Sequence, residues 1–219
     1  MNTTLEYYLN GINFKDWGVY VSESGGVLDR PKLKTPPKVD WDDYHGEVVD
    51  LRGKRVGARE ITLNCFMQAT GKADFAAKLN SFLDELGKDG TQRLTIVIDP
   101  DKPLIYEVYN ESGVSVSKRW RDDIMAGTFT LKLQEPEPVK RILRFTRNGA
   151  ATQASITITS NKTVTVYWGD GTKTEDVYGT ATTVTHTYSQ FGTYYVVVAG
   201  VIEDITSFSS NCAIVWNKL

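Results

Sequence analysis

Apolar and polar residues alternate with a period of two through much of the chain. Ile61, Leu63, Cys65 and Met67 are interleaved with Thr62, Asn64 and Phe66, and Leu94, Ile96 and Ile98 with Thr95 and Val97. Phe129, Leu131 and Leu133 alternate in the same way with Thr128, Thr130 and Lys132. Successive side chains of a strand point to opposite faces, so each run predicts a half-buried strand whose first-named set faces a core. Shorter strands are predicted at 17–21, 104–109 and 114–120. One stretch changes period: Phe75, Leu79, Phe82, Leu83 and Leu86 recur at helical spacing and predict a helix packed on the sheet. Thr70 or Asp74 is placed to cap its start, and Gly87 suits a left-handed stop. Strands, one helix and strands again make an α+β arrangement.

Beyond residue 150 the helical period does not return. Ile156 and Ile158, then Val164, Val166 and Trp168, then Val184, His186 and Tyr188, then Tyr194, Val196 and Val198 form short alternating runs separated by turn signals. That spacing predicts an all-β sandwich. The surface chemistry shifts as well. Of the 25 Lys+Arg and 27 Asp+Glu, only five of each lie in 144–219, whereas 21 Ser and Thr lie there against 15 in 1–143. Two domains are therefore expected, 1–143 and 144–219, with Gln134-Glu135-Pro136-Glu137-Pro138 ending a strand and opening a linker over 134–143. The loop 25–58 is long and has few strand signals in its first half; loops of that length are usually functional or disordered.

Composition narrows the function. The net charge is −2, without the basic excess of a nucleic-acid binder. The runs Arg52-Gly53-Lys54-Arg55-Val56-Gly57-Ala58-Arg59 and Lys118-Arg119-Trp120-Arg121 are basic, but Glu47, Asp50, Glu60, Asp122 and Asp123 flank them, which favours solvated loops or salt-bridged contacts. Cys65 and Cys212 are too far apart in sequence to suggest a disulfide framework or a metal site, and two free thiols are expected, Cys65 buried in a strand. Met1-Asn2-Thr3-Thr4 opens directly into strand-like residues, with no secretory signal and no membrane-length apolar run.

The densest motif is Val166-Tyr167-Trp168-Gly169-Asp170-Gly171-Thr172. Asp-Gly supplies the positive φ of a tight turn. A calcium loop needs several spaced oxygen ligands, and only Asp170 is fixed here, with Glu175 and Asp176 nearby. His186 and His45 are the two histidines, and neither has a nucleophile or carboxylate aimed at it by sequence. No catalytic residue, metal ligand or cofactor-binding residue is expected.

Val164–Thr172, His186-Thr187-Tyr188 and Phe191-Gly192-Thr193-Tyr194 resemble the PKD (polycystic kidney disease) domain family over most of 152–200. Its members are β-sandwich modules of surface and secreted proteins, usually spacers or interaction modules. The resemblance implies that Trp168, Gly169, Asp170, Gly171, His186, Tyr188 and Gly192 form the turn and core of the motif. The chain departs from the pattern after Gly200, at Ile202-Glu203-Asp204-Ile205 and Phe208 to Trp216. The front half is similar to the N-terminal domain of phage distal tail proteins, through Tyr8-Leu9-Asn10-Gly11-Ile12-Asn13-Phe14, Asp16-Trp17-Gly18-Val19-Tyr20-Val21, a charged Pro-containing stretch, Arg59-Glu60-Ile61-Thr62-Leu63-Asn64-Cys65-Phe66, the helix at 72–86 and the Leu94–Asp99 strand. It implies a β-sandwich or barrel-like domain with one flanking helix, assembled as a ring, commonly a hexamer, that joins tail tube to adhesion apparatus without catalysis.

The expected fold class is mainly β: an α+β N-terminal sandwich or barrel-like domain with one helix, then an all-β immunoglobulin-like sandwich. The expected function is a structural tail-tip protein of a phage or prophage, located in the virion tail. Its partners are further copies of itself, other tail proteins and a host-surface glycan, with no nucleic acid, membrane insertion or cofactor. Tyr167, Tyr178 and Tyr195, placed on the face opposite the core or in a loop, are the glycan-contact candidates. Loop 25–58 is expected to order against a neighbouring subunit. The alternative is a bacterial surface or secreted adhesion or carbohydrate-binding module.

Overall fold

The computed structural model describes residues 5–120 and 125–219. The expectations for Met1–Thr4, and for Arg121, Asp122 and Asp123 beside the second basic run, lie outside the described residues. The protein is mainly β, with one α-helix among the described residues. The strands are β1 (Glu6–Leu9), β2 (Ile12–Asn13), β3 (Val19–Gly25), β4 (Lys38–Asp40), β5 (Glu47–Val49) and β6 (Arg59–Ala69), followed by α1 (Lys72–Leu86). Then come β7 (Gln92–Val97), β8 (Leu104–Asn110), β9 (Ser117–Trp120), β10 (Met125–Glu135) and β11 (Lys140–Arg147). The last are β12 (Gln153–Tyr167), β13 (Lys173–Thr187), β14 (Gly192–Gly200), β15 (Ile205–Ser210) and β16 (Ala213–Trp216).

Contacts divide the chain into two units. One comprises Trp17–Gly90 and Val108–Pro138; the other comprises the chain up to Asp16, Thr91–Glu107 and Val139–Leu219. The charge shift near 143 places a boundary close to Pro138, but composition does not show that 91–107 groups with the C-terminal strands. The expected linker 134–143 is mostly strand, since β10 runs to Glu135 and β11 starts at Lys140.

In the unit that contains α1, β6 and β10 form an unbroken antiparallel ladder from Arg59↔Glu135 to Ala69↔Met125. Ile61, Leu63, Cys65 and Met67 on one strand and Phe129, Leu131 and Leu133 on the other are buried, as the alternation predicts. Burial pushes the Cys65 thiol up to about 12, so it packs as a small apolar group. α1 buries Phe75, Phe82 and Leu86, with Phe82 against Phe129 (ring centroids 6.0 Å) and edge-on to Trp17 (5.4 Å). The N-cap is Gly71, not Thr70 or Asp74. Asp74 instead reaches back to accept from the backbone N–H and hydroxyl of Thr70, at 3.2 and 3.1 Å. Gly87 ends the helix at φ −91°, not in the left-handed region, and its N–H bonds the Leu83 carbonyl at 2.9 Å.

Trp17 is buried and donates its indole N–H to Ser81 Oγ at 3.1 Å, fixing α1. Gly18 has φ +70°, and a Cβ there would lie 2.3 Å from the Gln68 carbonyl oxygen. Gly18→Ala is expected to destabilise by more than about 1 kcal/mol, because both the backbone angle and the contact oppose a side chain; urea denaturation checks this. Arg59, which the sequence places in an exposed basic run, is buried and pairs with Glu135 at 3.2 Å.

In the other unit, β1 pairs with β2 and β7. Leu94 and Ile96 are buried as expected, whereas Ile98 lies past the end of β7 and is exposed. The C-terminal strands make one six-stranded sheet, β13-β12-β14-β11-β16, with β15 also on β12. Its first stretch, Ile156–Ser160, pairs with β15, and its last, Val164–Tyr167, with β14. Register shifts between Ile158 and Val166 mark the change of partner, where Ser160 Oγ donates to the Lys162 carbonyl and accepts its N–H. Bulges of this kind bend and twist a strand. The inward set Ala154, Ile156, Ile158, Val164, Val166 and Trp168 therefore lines one core with Phe145, Val196 and Val198.

Candidate functional site

Two features stand out: an aromatic turn in the C-terminal sheet and an exposed arm in the unit containing α1. The turn begins where β12 ends. Trp168 is 1% exposed and donates its indole N–H to Thr174 Oγ1 at 2.9 Å. Its backbone N–H bonds the Thr172 carbonyl at 2.9 Å, closing a tight loop over Gly169 and Gly171, both at positive φ. A Cβ on Gly169 would sit 2.7 Å from the Tyr195 carbonyl oxygen, so the β14 backbone reaches the turn only because this residue is glycine. Asp170 Oδ1 accepts from the N–H and hydroxyl of Thr172 at 3.1 and 2.6 Å, and Oδ2 meets His186 Nε2 at 2.6 Å.

His186 lies flat on Trp168 (5.2 Å, 17°) and edge-on to Tyr188 (4.7 Å), which stacks on Tyr194 (3.9 Å) and Phe145 (5.3 Å). The Tyr188 hydroxyl donates to the Trp168 carbonyl at 2.7 Å. Burial works against ionisation of Asp170, but the bonds from Thr172 and His186 outweigh it and hold the carboxyl below its ordinary value. Burial, with the charge of Asp170 adding to it, raises the Tyr188 phenol. The hydroxyls of Thr172 and Tyr188 are spent as donors to Asp170 and to a carbonyl, so neither is aimed at His186 as a nucleophile. The sequence reading gave His186 no carboxylate; the turn brings Asp170 to it across 16 residues. Gly192, at φ +155° and exposed, opens β14, and a Cβ there would meet the Tyr194 ring at 3.8 Å. His45 is exposed at the arm's tip.

The tyrosines marked for glycan contact differ. Tyr178 is 58% exposed. Tyr167 and Tyr195 do lie on the sheet face away from the main core, but that face is covered, and both are half-buried against a second apolar cluster of Ile105, Ile142, Val197 and Ala199. Arg93 donates to the Tyr195 carbonyl at 2.6 Å, the Tyr195 hydroxyl to the Pro100 carbonyl at 3.3 Å, and the Trp216 indole to the Pro103 carbonyl at 3.0 Å. Tyr167 and Tyr195 are thus corrected from exposed contact residues to packing residues. Period-two reasoning finds the face but not the segment that covers it.

The arm spans the loop 25–58. The sequence shows few strand signals there, yet the backbone closes an antiparallel ladder. Gly57 N–H bonds Lys32 O at 2.8 Å, Lys34 N–H bonds Arg55 O at 2.9 Å, and Asp50 N–H bonds Pro37 O at 2.9 Å. Beyond these, β4 pairs with β5 from Lys38↔Val49 to Asp40↔Glu47. No residue between 28 and 58 is buried. Val39 and Val48 are cross-strand partners, 48% and 49% exposed, and strand parity puts Trp41, 57% exposed, on the face of Val39. Leu28, Leu33, Tyr44 and Leu51 are also exposed. Part of the first basic run is neutralised locally, Arg52 pairing with Asp50 at 3.0 Å.

No family model and no curated protein matches the chain. Among solved structures, the Dit (gp 19.1) protein of phage SPP1, titled a paradigm of the hub adsorption apparatus in phages infecting Gram-positive bacteria, is similar over 89% of this chain and 79% of that one, at 14% identity and a TM-score of 0.46. Among the described residues, no helix is long and apolar enough to cross a membrane, which says nothing of a β-barrel.

Proposed function

We propose that this protein is a non-catalytic structural subunit of a phage or prophage tail tip that assembles with copies of itself into a ring, hexameric by the resemblance of its front half. The observation that supports this most is the arm: an ordered hairpin whose apolar face, around Val39, Trp41 and Val48, is about half exposed among the described residues. Exposed apolar patches on ordered elements mark interaction sites. The ordered arm replaces the expected loop, and the neighbouring subunit remains its proposed occupant. Other tail proteins are the further partners, and the C-terminal sheet with its Trp168 turn serves as a spacer or interaction module, with Tyr178 its exposed aromatic.

The test is the solution mass of the full-length chain by light scattering, beside the variant Val39→Lys/Trp41→Ser/Val48→Glu. The two opposite charges face each other across the ladder, so the arm itself is kept. The wild type is expected at a multiple of 24.5 kDa and the variant at 24.5 kDa, with the same β-rich circular dichroism spectrum showing that the variant is folded. Removing a central Trp from an interface typically costs about 2 kcal/mol or more of association. A wild-type monomer at high concentration would overturn the ring and favour the alternative, a surface adhesion module.

A further inference from the structure

We propose that the outward face of the β3, β6, β10 and β9 strands is a saccharide-binding cleft. The ladder that turns Leu63, Cys65 and Leu131 inward turns the alternate set outward: Asn64 and Phe66 on β6, and Thr128, Thr130 and Lys132 on β10. Ser22 borders this floor on one side, and Ser112, Ser115 and Ser117, from the β8–β9 connection and the start of β9, on the other. The cleft is open to solvent and has a volume of about 590 Å³, within the size range of small-molecule sites.

The lining has the chemistry of a sugar's complement. Asn64 is oriented from both ends: its Oδ1 accepts from Thr130 Oγ1 at 2.9 Å, and its Nδ2 donates to Glu23 Oε2 at 3.1 Å. Among the described residues, the hydroxyls of Ser112, Ser115, Ser117 and Thr128 have no hydrogen-bond partner. Each offers a donor and an acceptor, as does each hydroxyl of a sugar. Phe66, 36% exposed, and Tyr20, 45% exposed, form a tilted aromatic pair (6.4 Å) at the same face, an apolar platform for the C–H side of a pyranose.

Other occupants fit less well. Lys132 is the one charged side chain of the lining, which is too little for a phosphate backbone. β6 and β10 are paired on both sides, so the centre of the floor has no free backbone edge for an added peptide strand. Most of the lining is polar, which disfavours an acyl chain. This site differs from Tyr178 in place and in chemistry, and it does not depend on ring assembly.

The experiment is a screen of the full-length protein on an array of bacterial cell-wall and capsular oligosaccharides, followed by calorimetric titration of the strongest binder into wild type, Thr128→Val, Asn64→Ala and Tyr178→Ala. Thr128→Val keeps the shape of an exposed side chain and removes only its hydroxyl. Binding by the wild type is expected, with affinity weakened roughly tenfold by Thr128→Val and by Asn64→Ala and unchanged by Tyr178→Ala, at unaltered solution mass in all three. The melting temperature is expected to be unaltered in Thr128→Val and Tyr178→Ala, and slightly lower in Asn64→Ala through the two cross-strand bonds it loses. Retention of no oligosaccharide, equal binding by both cleft variants, or loss through Tyr178→Ala alone would overturn the cleft. Solution mass reports separately on the ring, so the two readings fail independently.

Discussion

Replacing Trp168 with alanine is expected to lower the unfolding free energy by about 3–5 kcal/mol, measured by chemical denaturation. The indole is among the largest fully buried side chains. Its removal opens a cavity between the turn and the core, and the neighbours are poorly placed to close it. His186 is stacked on the indole and tethered to Asp170, while Tyr188 is held by its bond to the Trp168 carbonyl and by the rings of Phe145 and Tyr194. Trp168→Phe separates the contributions. It keeps an aromatic ring and loses the bond to Thr174, so a loss of about 1–2 kcal/mol is expected. Equal losses in the two variants would show that the indole N–H, not the packing, carries the stability.

Breaking the Arg59–Glu135 pair from one side is the other large effect. Arg59 is 5% exposed and Glu135 1%. They face each other at the end of the β6–β10 ladder, and the guanidinium also donates to the Val27 carbonyl at 2.9 Å and the Pro138 carbonyl at 3.4 Å. Glu135→Leu leaves a buried cation without its anion and is expected to cost about 3–5 kcal/mol. Arg59→Met together with Glu135→Leu removes both charges, and apolar replacement of a buried pair is often neutral or stabilising by about 1–4 kcal/mol. Here the two carbonyls lose their donor, which offsets part of that gain at about 1 kcal/mol each. The double variant is therefore expected to be more stable than Glu135→Leu alone. A double variant at least as unstable as the single would show that Arg59 stabilises through the carbonyls and not through the carboxylate.

These residues also show where sequence reading succeeds and where it stops. The inward set of β6 and β10, the buried face of α1 and the inward set of β12 follow from periodicity, because each is a local pattern imposed by one core. Arg59 and Glu135 break that pattern: charged residues read as surface, and only the ladder's register puts them opposite each other. The cover over Tyr167 and Tyr195 was hidden for another reason. It comes from 91–107, 102 residues before Tyr195 at Arg93 and 95 at Pro100, and no local signal encodes that pairing. The arm was missed because its strands face no core, so their apolar residues do not alternate toward one. Of the candidate site, the Trp168 turn was legible through Gly-Asp-Gly, while the Asp170–His186 contact needed the hairpin's return path.

The closed ladder of the arm has a kinetic consequence. Its stem and tip are already hydrogen-bonded in the single chain, so little backbone freedom is left to be lost when a second subunit arrives. Encounter then resembles the docking of two formed surfaces, which proceeds at about 10⁵–10⁷ M⁻¹s⁻¹, without the ordering cost that the coupled folding of a disordered tail carries. Assembly would show a single phase whose rate rises with subunit concentration, and the lifetime of the contact, set by how deeply Trp41 and its neighbours are seated, would govern how long a ring endures.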